Sequence, residues 1–214
     1  MTPSTTQTWI EFLSPDAVRA TASNAAPDSP VLEQSALLSR AHRLRDYVRH
    51  LVVALDLSAT WEFEAAAMLS QIGFLDLSRE AIVNLCAGGP LSDAERETLA
   101  SHAADGAAVL RNLPGLGMVA DIVGHQFKPY RDFKGESEFP EPGIARGSQM
   151  LHAAGDLDRL LSDGISQSDA LERMFAQTLE YNPELLSLLK TFDVTDCCTG
   201  GSFFTRGRLQ SCVQ

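Results

Sequence analysis

The sequence predicts an all-α protein, and three observations carry that reading. Ala and Leu are frequent, while aromatic residues make up only 7% of the 214 positions. Apolar residues recur at spacings of three and four in one stretch after another, the period of a helix face. No stretch alternates apolar and polar residues as a half-buried strand would, and there is no internal repeat. With 44% hydrophobic against 21% charged residues, the chain has enough apolar material for one ordinary domain with flanking segments.

Residues 1–29 are rich in Ser, Thr, Ala and Pro and read as an arm or linker, too short for a phosphoacceptor receiver domain. Only Trp9-Ile10-Glu11-Phe12-Leu13 within it could dock. Ser29-Pro30 then starts a helix, a hydroxyl cap followed by proline at the first helical position. Leu37, Leu38, Ala41, Leu44, Val48, Leu51, Val52 and Leu55 mark its apolar face. Arg40, Arg43, Arg45 and Arg49 lie on the other side and read as a solvated basic stripe, with His42 and His50 as surface residues. A second helix runs from Thr60 to Leu69, apolar apart from Glu62 and Glu64 and therefore buried, and Gly73 ends it.

A short helix follows over Arg79–Leu85, broken by Gly88-Gly89-Pro90. Ser92-Asp93-Ala94-Glu95 is a capping box that opens a helix running to about Leu113-Pro114. Val119–His125 forms another. From Phe127 to Pro142 the periodicity fails, which predicts a long loop, and long loops inside domains tend to be functional. Helices resume over Ile144–Leu161, Asp169–Leu179, and Pro183–Leu189 behind an Asn182 cap. Beyond Lys190 the composition drifts to Gly, Ser, Thr and Cys. The expected division is therefore an arm over 1–29, a helical domain over 30–190 and a tail over 191–214.

The net charge is −11 and the pI about 4.8. A surface that acidic repels phosphate backbones and anionic membranes, so neither nucleic acid nor a membrane is an expected partner. No apolar run approaches the roughly 20 residues of a bilayer span, and the opening Met1-Thr2-Pro3-Ser4 lacks a basic-plus-apolar signal segment. The expected compartment is the cytoplasm. There Cys197, Cys198 and Cys212 should be thiols, and Cys86 reads as a small core residue.

Several strings, in this order and spacing, resemble the HD-GYP family of bacterial signalling phosphodiesterases, part of the HD superfamily. They are Ala66-Ala67-Met68-Leu69-Ser70-Gln71-Ile72-Gly73, then Gly89-Pro90-Leu91-Ser92 with Glu95, and Ser101-His102-Ala103-Ala104-Asp105-Gly106-Ala107. Leu113-Pro114-Gly115-Leu116 follows, then Val119-Ala120-Asp121-Ile122-Val123-Gly124-His125, Asp158-Arg159-Leu160, and Asn182-Pro183-Glu184-Leu185. The resemblance covers roughly residues 38 to 190. It implies an HD-domain-like bundle of about seven helices that holds two or three iron or manganese ions and hydrolyses cyclic di-GMP.

Against that pattern, the His-Asp pair falls on Ser70-Gln71 and the following lysine on Phe74. The His-His-Glu run falls on His125, Gln126, Phe127 and Lys128, depending on register. A later ligand aspartate falls on Gly155, a histidine of the first helix on Arg40, and a phosphate-binding arginine on Gln149, with Arg146 nearby. The Gly-Tyr-Pro signature is absent, although Lys134-Gly135 resembles the Lys-Gly that follows it. His102 and His125 are the remnant metal positions. Two dications held about 3.5–4 Å apart repel strongly unless anionic ligands bridge them. A serine hydroxyl, an amide and a glycine supply no such charge.

These residues lead to the expectation of a catalytically inactive HD-GYP-like domain without metal or cofactor. It would act through protein–protein interaction in bacterial second-messenger or two-component regulation. Diguanylate cyclases or other regulatory domains are the implied partners, with homodimerisation through the long first helix. One alternative is a cyclic di-GMP sensor without hydrolysis, in which Lys128, Lys134 and Arg146 contact phosphate. Another is residual enzyme activity, with iron, manganese or zinc rebuilt around His102, His125 and a carboxylate. The pairs Asp121/His125 and His102/Asp105 share helix faces at suitable spacing, though such spacings are common by chance. His152, in a small apolar stretch, reads as a hydrogen-bonded interior group.

Overall fold

Proline at its first position opens the long helix α1, Pro30–Ala54, in the computed structural model, which describes residues 30–57, 60–73, 93–133 and 142–193. Helices α2 (Thr60–Leu69), α3 (Asp93–Arg111) and α4 (Gly117–Gly124) follow. A 3-10 turn at Tyr130–Phe133 leads toward α5 (Pro142–Ser162), α6 (Gln167–Ala176) and α7 (Pro183–Leu189). The described residues thus form seven α-helices and no strand, the all-α bundle that the periodicity predicts. The short helix expected over 79–85, Cys86, and half of the loop expected over 127–142 (residues 134–141) lie outside the described residues. So do the arm, and the tail from 194 on.

The core is built around α5, which touches α1, α2, α4, α6 and α7. Its small residues Ala145, Gly147, Ala153 and Ala154 let these neighbours approach closely. A Cβ on Gly147 would come within 2.8 Å of both Phe63 and Ile122. From α1, Leu44, Val48, Leu51 and Val52 of the expected face are buried, and Tyr47, which that face did not include, is buried with them. Each fully buried Leu or Val contributes roughly 1.5–3 kcal/mol relative to exposure. Side-chain caps hold two helix starts: Ser166 Oγ accepts from the Asp169 N–H, and Asn182 Oδ1 from the Glu184 N–H at 3.0 Å.

The arginine stripe on α1 is not a solvated face. Arg43 donates two hydrogen bonds to the Asp158 carboxylate of α5, at 2.6 and 3.1 Å, and Arg40 Nε lies 3.5 Å from the same group. The Asp158 side chain is only 2% exposed. A buried carboxylate requires a cation, and α1 bends two of its four arginines inward to supply it. Arg45 meets Asp46, and Arg49 meets Glu64 on α2. His50 is not a surface residue either: its Nε2 lies 3.1 Å from both the Leu188 carbonyl and Thr191 Oγ1, and its ring packs edge-on to Phe192. Phe192 also meets Tyr47, so packing against α1 continues past Lys190.

Three smaller differences have local causes. Trp61 on α2 is 54% exposed, because the apolar α2 still turns its first residues outward. The segment after His125 is not irregular throughout, because Tyr130 and Arg131 donate their N–H groups to the carbonyls of Glu180 and Leu179. The helix expected over 169–179 runs Gln167–Ala176, and the chain reverses through Leu179 at φ +73°. That left-handed conformation is unfavourable for leucine.

Asp158→Ala leaves two guanidinium groups facing an emptied buried site and should destabilise the fold by about 3 kcal/mol. Arg49→Ala, which removes an exposed ion pair, should cost under about 1 kcal/mol. Urea unfolding of both variants checks the contrast.

Candidate functional site

Ser70, Gln71 and His102 sit where α3 meets the turn after α2. A Cβ on Gly73 would collide with the His102 carbonyl, and one on Gly106 would meet the Gly73 nitrogen at 3.2 Å. Two glycines therefore allow backbone-to-backbone contact and bring Ser70-Gln71 beside His102.

Ser70 and Gln71, where the resemblance expects a His-Asp pair, hydrogen-bond to each other, and one oxygen of the pair is left over. Ser70 is fully buried and its hydroxyl donates to the Ala67 carbonyl at 2.8 Å. Gln71 Nε2 donates to Ser70 Oγ at 2.9 Å, while Gln71 Oε1 is enclosed without a hydrogen-bond partner. His102 is 1% exposed, and the ring of Phe127 stands edge-on to it with centroids 5.0 Å apart. Phe127 itself is largely exposed and covers the imidazole from outside.

His125 follows directly after α4, with its Nδ1 2.7 Å from the backbone carbonyl of Asp121. A carbonyl only accepts, so Nδ1 carries the hydrogen. That is also the tautomer in which Nε2 can ligate a metal. The Asp121 carboxylate is not part of this contact; it accepts from Arg111 at 2.8 Å. Asp105 is exposed although His102 is buried, so that helical pair does not converge. Gln126, next to His125, is buried and its Nε2 has no hydrogen-bond partner.

On α5, a Cβ on Gly155, where the resemblance expects a ligand aspartate, meets no atom within 4 Å. The space for a side chain exists and none fills it. Gln149 Oε1 accepts from Asn182, the residue that caps α7. Of the two tentative phosphate contacts, Lys134 lies outside the described residues and Arg146 donates to Glu184 at 2.8 Å. Lys128 lies over the Phe133 ring at 5.2 Å.

This donor set does not fit a pair of divalent ions. Two imidazoles, a hydroxyl and two amides bring no negative charge to the place where bridging carboxylates are needed. Among the described residues no group of three or more His, Cys, Asp or Glu is placed to hold a metal ion.

A second polar cluster went unread in the sequence apart from His152 itself. His152 is 9% exposed, its Nδ1 lies 3.1 Å from the Gln126 carbonyl, and its Nε2 lies 3.5 Å from Asp156 and 3.6 Å from Glu180. Tyr181 donates its hydroxyl to Asp156 at 2.6 Å. Burial, and then that hydrogen bond, push the Tyr181 phenol well above its usual pKa, so it remains a donor. The four-residue spacing of His152 and Asp156 was the available signal; Glu180 and Tyr181 join only through the turn at Leu179.

A family model described as HD domain matches residues 29–185. No curated protein matches the sequence. The match spans every described helix up to the middle of α7 and takes in Ser70, Gln71, His102, His125 and Asp158. No helix among the described residues is long and apolar enough to cross a membrane. With the helical frame and the match in agreement, this chain belongs to the HD domain family.

Proposed function

We propose that this HD domain is a degenerate member of the HD-GYP type, one that no longer hydrolyses cyclic di-GMP and serves bacterial second-messenger or two-component regulation by binding other proteins. The observation that carries this reading is the state of the Ser70-Gln71 corner. There, the Gln71 amide donates to the Ser70 hydroxyl and that hydroxyl to the Ala67 carbonyl, where hydrolysis requires charged metal ligands. Gly155 adds to it, since the third ligand position is open space. Without a carboxylate to hold cations, no hydroxide is generated for attack on phosphorus. The natural partners are diguanylate cyclases or other regulatory domains, which suit a domain that contributes surface rather than chemistry. The nucleotide-sensing alternative is disfavoured by Arg146, whose guanidinium is engaged by Glu184.

Incubation with cyclic di-GMP and excess Mn²⁺ or Fe²⁺ should yield no linear dinucleotide by chromatography; ring opening at rates above a metal-only control would refute the proposal. Melting temperature should be the same in EDTA and in Mn²⁺, because no metal contributes to the native state. Gly155→Ala should raise stability by roughly 0.5–1 kcal/mol, the gain from removing a glycine inside a helix where the methyl group meets nothing. A loss of stability in that variant would show that the position is occupied.

A further inference from the structure

His152 stands where three parts of the chain meet: α5, the turn after α4 at Gln126, and the Glu180–Tyr181 turn that leads into α7. Its Nδ1 faces the Gln126 carbonyl at 3.1 Å and therefore carries a hydrogen whatever the charge of the ring. Its Nε2 is enclosed and has no hydrogen-bond partner. That nitrogen faces Asp156 Oδ2 at 3.5 Å and Glu180 Oε1 at 3.6 Å. In the neutral ring it presents a lone pair to two carboxylate oxygens, with no proton between the nitrogen and either of them. A second proton makes it a donor between two anions.

The surrounding charges leave this contact to the imidazole. Arg159, also on α5, lies against the other oxygen of Asp156, Oδ1, at 3.5 Å. Arg131, from the 3-10 turn, lies against the other oxygen of Glu180, Oε2, at 3.3 Å. The protonated Tyr181 phenol donates to Asp156 Oδ2 but brings no charge. The Gln126 carbonyl is the group facing it from the α4 side. The same turn receives the N–H groups of Tyr130 and Arg131 on the carbonyls of Glu180 and Leu179, at 2.8 and 2.9 Å. Leu179 holds a left-handed conformation there that leucine does not favour.

We propose that His152 is a proton-operated clasp: gaining a proton from solvent at Nε2, it bridges Asp156 and Glu180 and fixes the Leu179–Tyr181 turn against the Tyr130–Phe133 segment. Releasing that proton to solvent restores the repulsion and loosens the segment that follows His125. The clasp is independent of whether the domain hydrolyses anything.

Amide exchange by NMR tests it. Protection factors of the Tyr130 and Arg131 N–H groups, corrected for intrinsic exchange, are followed between about pH 5.5 and 8, where imidazoles change charge. In the wild type, protection should fall roughly tenfold as pH rises, the scale of one charge-assisted hydrogen bond. The Nε2 resonance should lose its proton in step with that fall while Nδ1 keeps one. His152→Gln should make the protection independent of pH, and Glu180→Gln, which keeps the histidine, should make the fall shallower. A flat wild-type profile, or a fall that persists in His152→Gln, overturns the proposal. Should His152→Gln fail to fold, a Glu180→Gln profile identical to wild type overturns it as well.

Discussion

One buried carboxylate organises the bundle. Asp158 on the central helix is removed from water, and its charge is stabilised by Arg43 and Arg40 reaching over from α1. The contact joins residues 115 positions apart, and it fixes the rotation of the longest helix about its own axis. With α1 so oriented, Leu44, Tyr47, Val48 and Leu51 face the core, and Phe192 closes over Tyr47 and His50. A hydrophobic face alone tolerates rotation and sliding. A two-pronged ion pair inside the protein does not, because half a pair leaves a buried charge exposed to apolar surroundings.

On the function proposed above, the same frame explains how a site can lose its chemistry without losing its shape. Backbone contact at Gly73, Gly106 and the His102 carbonyl sets where α3 crosses, and none of it involves the side chains that would hold metal. Ser70 and Gln71 could therefore take up neutral hydrogen bonds locally, and Gly155 could leave its space open, while the helices around them keep their places. What changes is charge. Hydroxyl, amide and imidazole groups are poor hosts for paired dications, because they bring no negative charge.

Much of this was legible in the sequence. The bounds of α2 and α7 follow from apolar runs, a proline and the Asn182 cap, all of them local signals. The core face of α1 follows from spacing alone. Its arginines misled because periodicity names a face, and says nothing of an aspartate far along the chain that needs them. His50 misled for the same reason, its partners being Leu188 and Thr191. The early end of α6 and the left-handed Leu179 were out of reach, since backbone hydrogen bonds to Tyr130 and Arg131 decide them. At the candidate site, the missing donors could be read from residue types. The self-bonding of Ser70 with Gln71 and the engagement of Arg146 by Glu184 depend on how distant helices pack, which no local pattern encodes.

The proposed loss of hydrolysis rests on electrostatics, and the metal content of the purified protein tests it most directly. Protein expressed with iron, manganese and zinc in the medium, then stripped of loosely bound ions by gel filtration, is measured by plasma mass spectrometry. The account predicts far less than one transition metal per chain. A stoichiometric metal that disappears on His125→Ala would contradict it, and would show that neutral donors suffice where carboxylates were thought necessary.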